Sequence, residues 1–127
     1  MNEFTLKDEV FALTEVMKSK FTAFVFPVND VDSFKVRLEQ IRKANSKARH
    51  VCYAYRIGVN SKSNDDGEPK GTAGRPLLEL LTKKNLMNVG IIVVRYYGGV
   101  QLGAGRLLRT YVTSGVNALE KAEIIEL

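Results

Sequence analysis

The order of elements along the chain, β-β-α-β-α-β-α, predicts an α+β fold, a two-layer α/β sandwich in which helices cover a mixed four-stranded sheet. Three observations predict it. Val31, Phe34, Leu38 and Ile41 recur at helical spacing after two β-branched and aromatic stretches. Residues 89–94 form an unbroken apolar run, the mark of a strand covered on both faces. The last apolar stripe, ending at Leu119, is again helical in period. No repeat or low-complexity linker interrupts the 127 residues, and a 45% hydrophobic content suffices for one core.

Each element has its own signature. Glu9 to Met17 and Lys20 to Val28 read as strands of a hairpin turning near Lys18 and Ser19, with Pro27, Asn29 and Asp30 as the stop. Asp30 is a good N-cap for the first helix, whose Lys35, Arg37, Arg42 and Lys43 face away from its apolar stripe. Val51 to Ile57 alternates, placing Val51, Tyr53, Tyr55 and Ile57 on one side and Cys52, Ala54 and Arg56 on the other. Pro76 fits the first turn of a short second helix, which carries Leu77, Leu78, Leu80 and Leu81 and ends near Asn85. Val89 to Val94 is the central strand. From about Gly103 to Glu120 a long helix places Leu108, Tyr111, Val112, Gly115, Val116 and Leu119 on its stripe, and Arg106, Arg109, Thr113 and Asn117 away from it.

Composition bounds the function. Cys52 is the only cysteine, which excludes an intrachain disulfide and a four-cysteine metal site and suits a reducing interior. The N-terminus lacks a basic region followed by an apolar core, and no stretch approaches the roughly 20 apolar residues that a bilayer span needs. A soluble, cytoplasmic protein with no membrane partner is expected. Nineteen Lys and Arg against fourteen Asp and Glu give a net charge of +5, which permits attraction to nucleic acid or another anionic partner.

Two loops carry the chemistry. Asp65 to Gly74 (DDGEPKGTAG) holds three carboxylates and no apolar residue larger than alanine, so turn chemistry and hydrogen bonds must order it. Asp65, Asp66 and Glu68 offer hard oxygen ligands to a divalent cation, but lack the alternation and terminal Glu of an EF-hand loop. Equally, Asp65 or Asp66 can cap the turn at Gly67 while Glu68 pairs with Arg75 or another guanidinium. The free N–H groups of the helix at Pro76 can hold an anion or be capped by the Thr72 hydroxyl. The second loop, Arg95 to Arg109 (RYYGGVQLGAGRLLR), joins a buried strand to a helix, where backbone N–H groups can cradle phosphate. It lacks the Lys-Ser/Thr of a P-loop and the third glycine of a dinucleotide fingerprint, so Gly98 and Gly99 can equally be a turn, and Gly103 and Gly105 a close helix approach. Arg95, Arg106 and Arg109 form either a candidate basic patch or a solvated helix face with ion pairs to Asp65, Asp66 or Glu68, and a ring of Tyr96 or Tyr97 can stack on a base or close the core, one of the two being expected to be buried. His50 and Cys52 share a strand face, open either to a Cys-His pair or to a buried thiol with His50 bonding a loop.

The strings SKFTAFVFPV, HVCYAYRIG, DDGEPKGTAGRP and VVRYYGGVQLGAGRLLRTY together span about Ser19 to Tyr111 and resemble the N-terminal domain of the YigZ/IMPACT family. The resemblance implies a fold similar to domain IV of elongation factor G and to the second domain of a small-subunit ribosomal protein, with helices on one face of the sheet. It implies that eukaryotic members regulate translation by competing for the activator of an initiation-factor kinase in amino-acid starvation. Bacterial members usually continue into a ferredoxin-like domain. This chain stops at Leu127, so residues 1–127 are expected to be a single such domain with that second one absent. The family usually has glycine where Arg106 stands; if that glycine serves close backbone contact with a ligand, this chain puts a positive charge in its place.

These readings converge on a non-enzymatic binding domain linked to translation or its regulation under stress, recognising RNA, the ribosome or a protein partner. The expected binding residues are His50, Asp65, Asp66, Glu68, Thr72, Arg95, Tyr96, Gly98, Gly99, Gly103, Gly105, Arg106 and Arg109, with no catalytic residue, metal ligand or cofactor. The alternative is a small metal- or phosphate-dependent enzyme using the Asp65, Asp66 and Glu68 loop.

Overall fold

The computed structural model describes residues 2–127. In chain order the elements are β1 (Phe4–Leu6), β2 (Val10–Val16), β3 (Ser19–Pro27), α1 (Val31–Ala44), β4 (His50–Ile57), β5 (Asn60–Asn64), α2 (Gly74–Lys83), β6 (Val89–Tyr96), α3 (Ala104–Leu119) and β7 (Ile124–Glu126). The α+β class and the expected strands and helices are present. The sheet differs from expectation in three respects.

It has five strands, in the order β2-β3-β6-β4-β5, and every neighbouring pair is antiparallel. The mixed sheet is corrected because β6, the last of these strands in sequence, inserts between β3 and β4. Those two run parallel to each other but never touch, and each meets β6 antiparallel, as at Ala23↔Val93 and Cys52↔Val93. The extra strand is β5, the sequence NSKSN, which carries no hydrophobic period because it is an exposed polar edge. A separate two-stranded ribbon joins β1 to β7 near the termini.

Helices cover both faces rather than one. On the first face, α2 and α3 pack Leu77, Leu80, Leu81, Leu107, Tyr111 and Leu119 against Phe21, Ala23, Val25, Cys52, Ala54, Ile91 and Val93. On the other, α1 packs Phe34, Leu38 and Ile41 against Phe26, Tyr53, Tyr55, Ile92 and Val94. Residues 89–95 of β6 are all buried, as a run without alternation demands. The Asp30 cap is present, its carboxylate accepting from Ser33 N–H at 2.7 Å.

Two local features set the geometry at one end of the sheet. The β2–β3 hairpin turns on Met17 and Lys18, both at positive φ (47° and 67°), the two-residue turn whose twist suits adjoining strands. The inward stripe of α3 runs through Leu107, Thr110, Tyr111, Ser114, Gly115, Ala118 and Leu119, one residue out of phase with expectation at its start. Leu108 is exposed instead, while Arg106 and Arg109 stay outward.

Candidate functional site

Antiparallel pairing sets His50 of β4 opposite Arg95 of β6, on the sheet face that α3 covers. Glu68, from the turn after β5, folds under Tyr111 of α3 and meets both. Arg95 Nη1 donates to the two carboxylate oxygens of Glu68 at 3.0 and 2.7 Å, and the Tyr111 hydroxyl donates to Oε2 at 2.5 Å. His50 Nε2 lies 3.4 Å from Oε1. Both ends of the ion pair are buried, with side-chain exposures of 7% for Arg95 and 3% for Glu68, so neither charge is served by water. Burial pushes the Tyr111 phenol and the Cys52 thiol well up from their ordinary values, so both stay neutral. The Cys52 thiol donates to the Asp65 carbonyl at 3.1 Å and lies 3.3 Å from the Tyr111 hydroxyl. It does not meet His50, whose Nδ1–H is donated instead to the Asp66 carbonyl at 2.6 Å. That geometry removes the Cys-His pair and gives His50 the loop bond expected of it.

The acidic loop is ordered from within. The Asp65 carboxylate accepts from the N–H groups of Gly71, Ala73 and Gly74 at 2.9, 3.1 and 2.8 Å, and so caps α2 in place of Thr72. Thr72 is buried, and its hydroxyl donates back to the Pro69 carbonyl at 2.6 Å. Asp66 accepts from Val51 N–H at 2.6 Å. Burial alone would raise the Asp65 carboxyl, but the N–H groups of Gly71, Gly74 and Ala73, with the Arg75 guanidinium, hold it below its ordinary value. The depressed value means that its stabilisation is present above about pH 4 and is lost as pH falls through the folded-state value. Asp65→Asn is therefore expected to cost about 2 kcal/mol near neutral pH and progressively less below about pH 4, read from urea unfolding across pH. A difference from wild type that does not change with pH would show that the charge of Asp65 plays no part.

A pocket of about 330 Å³ opens over the ion pair, lined by Arg49, His50, Gly67, Glu68, Pro69, Arg95, Tyr97, Gln101, Leu102, Gly103, Ala104 and Leu107. The acidic turn and the Gly/Arg loop thus meet at one end of the sheet. Of the residues expected to bind, His50, Glu68, Arg95 and Gly103 line this pocket. Asp65, Asp66 and Thr72 shape its wall from behind. Gly98 is packed against the β2–β3 hairpin, and Gly99 and Gly105 face open space or solvent. Arg106 and Arg109 are exposed beyond the rim, and Arg106 meets Met17 Sδ. Arg95 is therefore no part of their patch. Tyr96 points to the α1 side, its hydroxyl donating to Asn45 Oδ1 at 2.9 Å. Neither Tyr96 nor Tyr97 is buried, at 36% and 38% exposure, because the chain leaves the sheet at this point.

Sequence reasoning missed Arg49 and Gln101, and named Tyr97 without placing it among the binding residues. The Arg49 guanidinium lies 4.6 Å from the Tyr97 ring centroid, a cation–π contact between a pre-strand residue and a post-strand residue that no local pattern announces. Arg95 makes a longer contact with the same ring, at 5.7 Å. The N–H groups of Ala104, Gly105 and Arg106, which open α3, have no acceptor among the described residues, and no acidic residue sits in that first turn. Among the described residues no three His, Cys, Asp or Glu side chains are placed to hold a metal ion. The loop carboxylates are already engaged, so the arrangement offers donors and positive charge, not a free base.

The geometry defines a class: an α+β domain with β6 inserted between β3 and β4, carrying a donor-rich pocket over a buried ion pair at one sheet end. Residues 17–119 match the Impact N-terminal domain, and the chain belongs to that family. It is 39% identical to the IMPACT family member YvyE of Bacillus subtilis over 97% of this chain and 58% of that protein. It is 38% identical to YigZ of Escherichia coli over 85% of this chain and 55% of the relative. The human Protein IMPACT matches at 37% over 70% of this chain and 30% of its own length. The chain thus spans somewhat over half the length of its bacterial relatives. A solved structure of a hypothetical protein superposes with a TM-score of 0.94 at 31% identity, over 99% of this chain and 64% of that one. The two-domain translational regulator Yih1 shares the fold at a TM-score of 0.50 and 24% identity, over 93% of this chain and 46% of that one. No helix of the described residues is long and apolar enough to cross a membrane.

Proposed function

We propose that this chain is a non-enzymatic binding domain acting in the cytoplasm, in translation or its control under stress, and that it holds structured RNA, free or on the ribosome, at the pocket end of the sheet. The charge balance there carries the reading. Glu68 lines the pocket, and its charge is matched by Arg95 at 2.7 Å, while Arg49 and the uncapped start of α3 remain uncompensated. Arg106 and Arg109 continue the positive surface along the exposed side of α3. With a net charge of +5, phosphate is the chemistry this end matches best. Membership of a family that includes the mammalian Protein IMPACT, and a fold shared with a translational regulator, support the translational setting.

Titration of a structured RNA against salt tests the reading. Affinity is expected to fall linearly in log–log form with rising salt. Arg106→Glu combined with Arg109→Glu is expected to weaken binding at least about tenfold and to lower the salt slope by about two. Both side chains are exposed, and Arg106→Glu puts acid in the first turn of α3, so the fold should survive them. Undetectable binding at low salt, or indifference to the double change, would sink the RNA reading and leave a protein partner in translational control as the occupant of this surface.

A further inference from the structure

The pocket contains more hydrogen-bond donors than its own residues use. Arg49 stacks on Tyr97 at 4.6 Å, and its guanidinium donates to no acceptor among the described residues. Arg95, which lines the pocket with 6% of its surface exposed, leaves its buried Nε–H without an acceptor. The wall formed by Gly103 and Ala104 is the beginning of a 16-residue helix, with Gly103 at φ 77° and no side-chain cap. The Ala104 N–H and the positive end of the helix dipole lie there with no acid in the first turn. Among the described residues the only carboxylate lining the pocket is Glu68, held by Arg95 and Tyr111. Arg49 before a strand, the buried Arg95 and the start of α3 therefore border one concavity.

We propose that this concavity is a binding site for a phosphomonoester, the 5′-phosphate of a nucleotide, seated on the first turn of α3 with Arg49 at its rim. Volume and shape decide between a chain end and a passing strand. About 330 Å³, walled by the Gly67–Pro69 turn, the start of β4 and the start of α3, is at the small end of ligand pockets and admits a phosphate with its sugar, not a duplex laid across it. The half-exposed Tyr97 ring at the mouth offers a face on which the attached base can stack. The nucleotide has two sources, free in solution or at the 5′ end of an RNA strand. The second rests on the RNA reading above; the first stands without it.

The test is calorimetric titration at low salt with four probes: inorganic phosphate, AMP, and one single-stranded RNA octamer bearing either a 5′-phosphate or a 5′-hydroxyl. The phosphorylated octamer is expected to bind at least about tenfold more tightly than its hydroxyl twin, the loss anticipated for one charge-assisted contact. Arg49→Gln should reduce that advantage. Ala104→Asp should abolish it, because a carboxylate at the start of α3 takes the same N–H groups while keeping or raising the melting temperature. The rise in stability separates loss of the site from loss of the fold.

AMP binding as tightly as the phosphorylated octamer, with the hydroxyl octamer silent, would support the pocket and remove the RNA reading. AMP binding that Ala104→Asp abolishes, with the two octamers equal, would support the pocket as a site for the free nucleotide, whereas binding or an octamer preference that survives Ala104→Asp would overturn it and leave the RNA reading standing. Inorganic phosphate and AMP both failing to bind, with no preference between octamers, would also overturn it.

Discussion

Glu68→Gln is expected to lower the unfolding free energy by about 3 to 5 kcal/mol, a large share of the roughly 5 to 15 kcal/mol typical of a domain of this size. The shape of the side chain is conserved, so packing does not explain the loss. What changes is that Arg95, with 7% of its side chain exposed and its Nη1 donating to both oxygens of Glu68, keeps its charge and loses the counter-charge. At 7% exposure Arg95 gains little from water, and Ser19 Oγ at 3.4 Å is too distant to help much. Arg95→Met should cost less than Glu68→Gln, because the buried group it leaves behind is a carboxylate that still accepts from Tyr111. The double variant should cost clearly less than the sum of the two, by at least about 2 kcal/mol, since removing both charges abolishes the desolvation problem that each single change exposes. Urea unfolding of all four proteins measures the coupling. Additive losses would mean that the pair is solvated and that the pocket floor is softer than its geometry indicates.

What could be read from the sequence follows from where physical information is local. The Asp30 cap, the α1 stripe and the unbroken apolar strand β6 each need only neighbouring residues, and each is present where expected. The fold's handling of its strands is not local. NSKSN carries no hydrophobic period because an edge strand needs none, and no string of letters announces that β6 will be inserted between β3 and β4. Within the candidate site, composition pointed to two loops that the fold brings together at one sheet end, because carboxylates and glycines without apolar anchors must be ordered by hydrogen bonds. It did not say which carboxylate would do what. Asp65 became a helix cap across six to nine residues, whereas Glu68 became half of an ion pair with a residue twenty-seven positions away. Arg49 and its contact with Tyr97 escaped notice because that contact exists only through the register of β4 on β6, which places Arg49 N–H on the Arg95 carbonyl at 2.8 Å.

The glycines of the second loop, indistinguishable by type, should respond to alanine with different signs. A Cβ on Gly98 would stand 2.1 Å from the carbonyl carbon of Lys18, 2.2 Å from its oxygen and 2.5 Å from Ser19 N. All three are backbone atoms of the tight β2–β3 turn, so no rotamer change can relieve the overlap. The loop must lift, which also stretches the 3.2 Å bond from Gly98 N–H to Ser19 Oγ beside Arg95. Gly98→Ala is therefore expected to destabilise by about 3 kcal/mol. Gly99 has open space but φ 88°, so its alanine variant should cost only about 1 kcal/mol of backbone strain. Gly105, within α3, would meet nothing closer than the flexible Arg109 guanidinium at 3.4 Å, and Gly105→Ala should stabilise by about 0.5 to 1 kcal/mol through helix propensity. Thermal and urea unfolding of the three variants checks the order. If Gly98→Ala proved no worse than Gly99→Ala, the close seating of the glycine turn on the hairpin would be wrong, and with it the support that keeps Arg95 and the pocket floor in place.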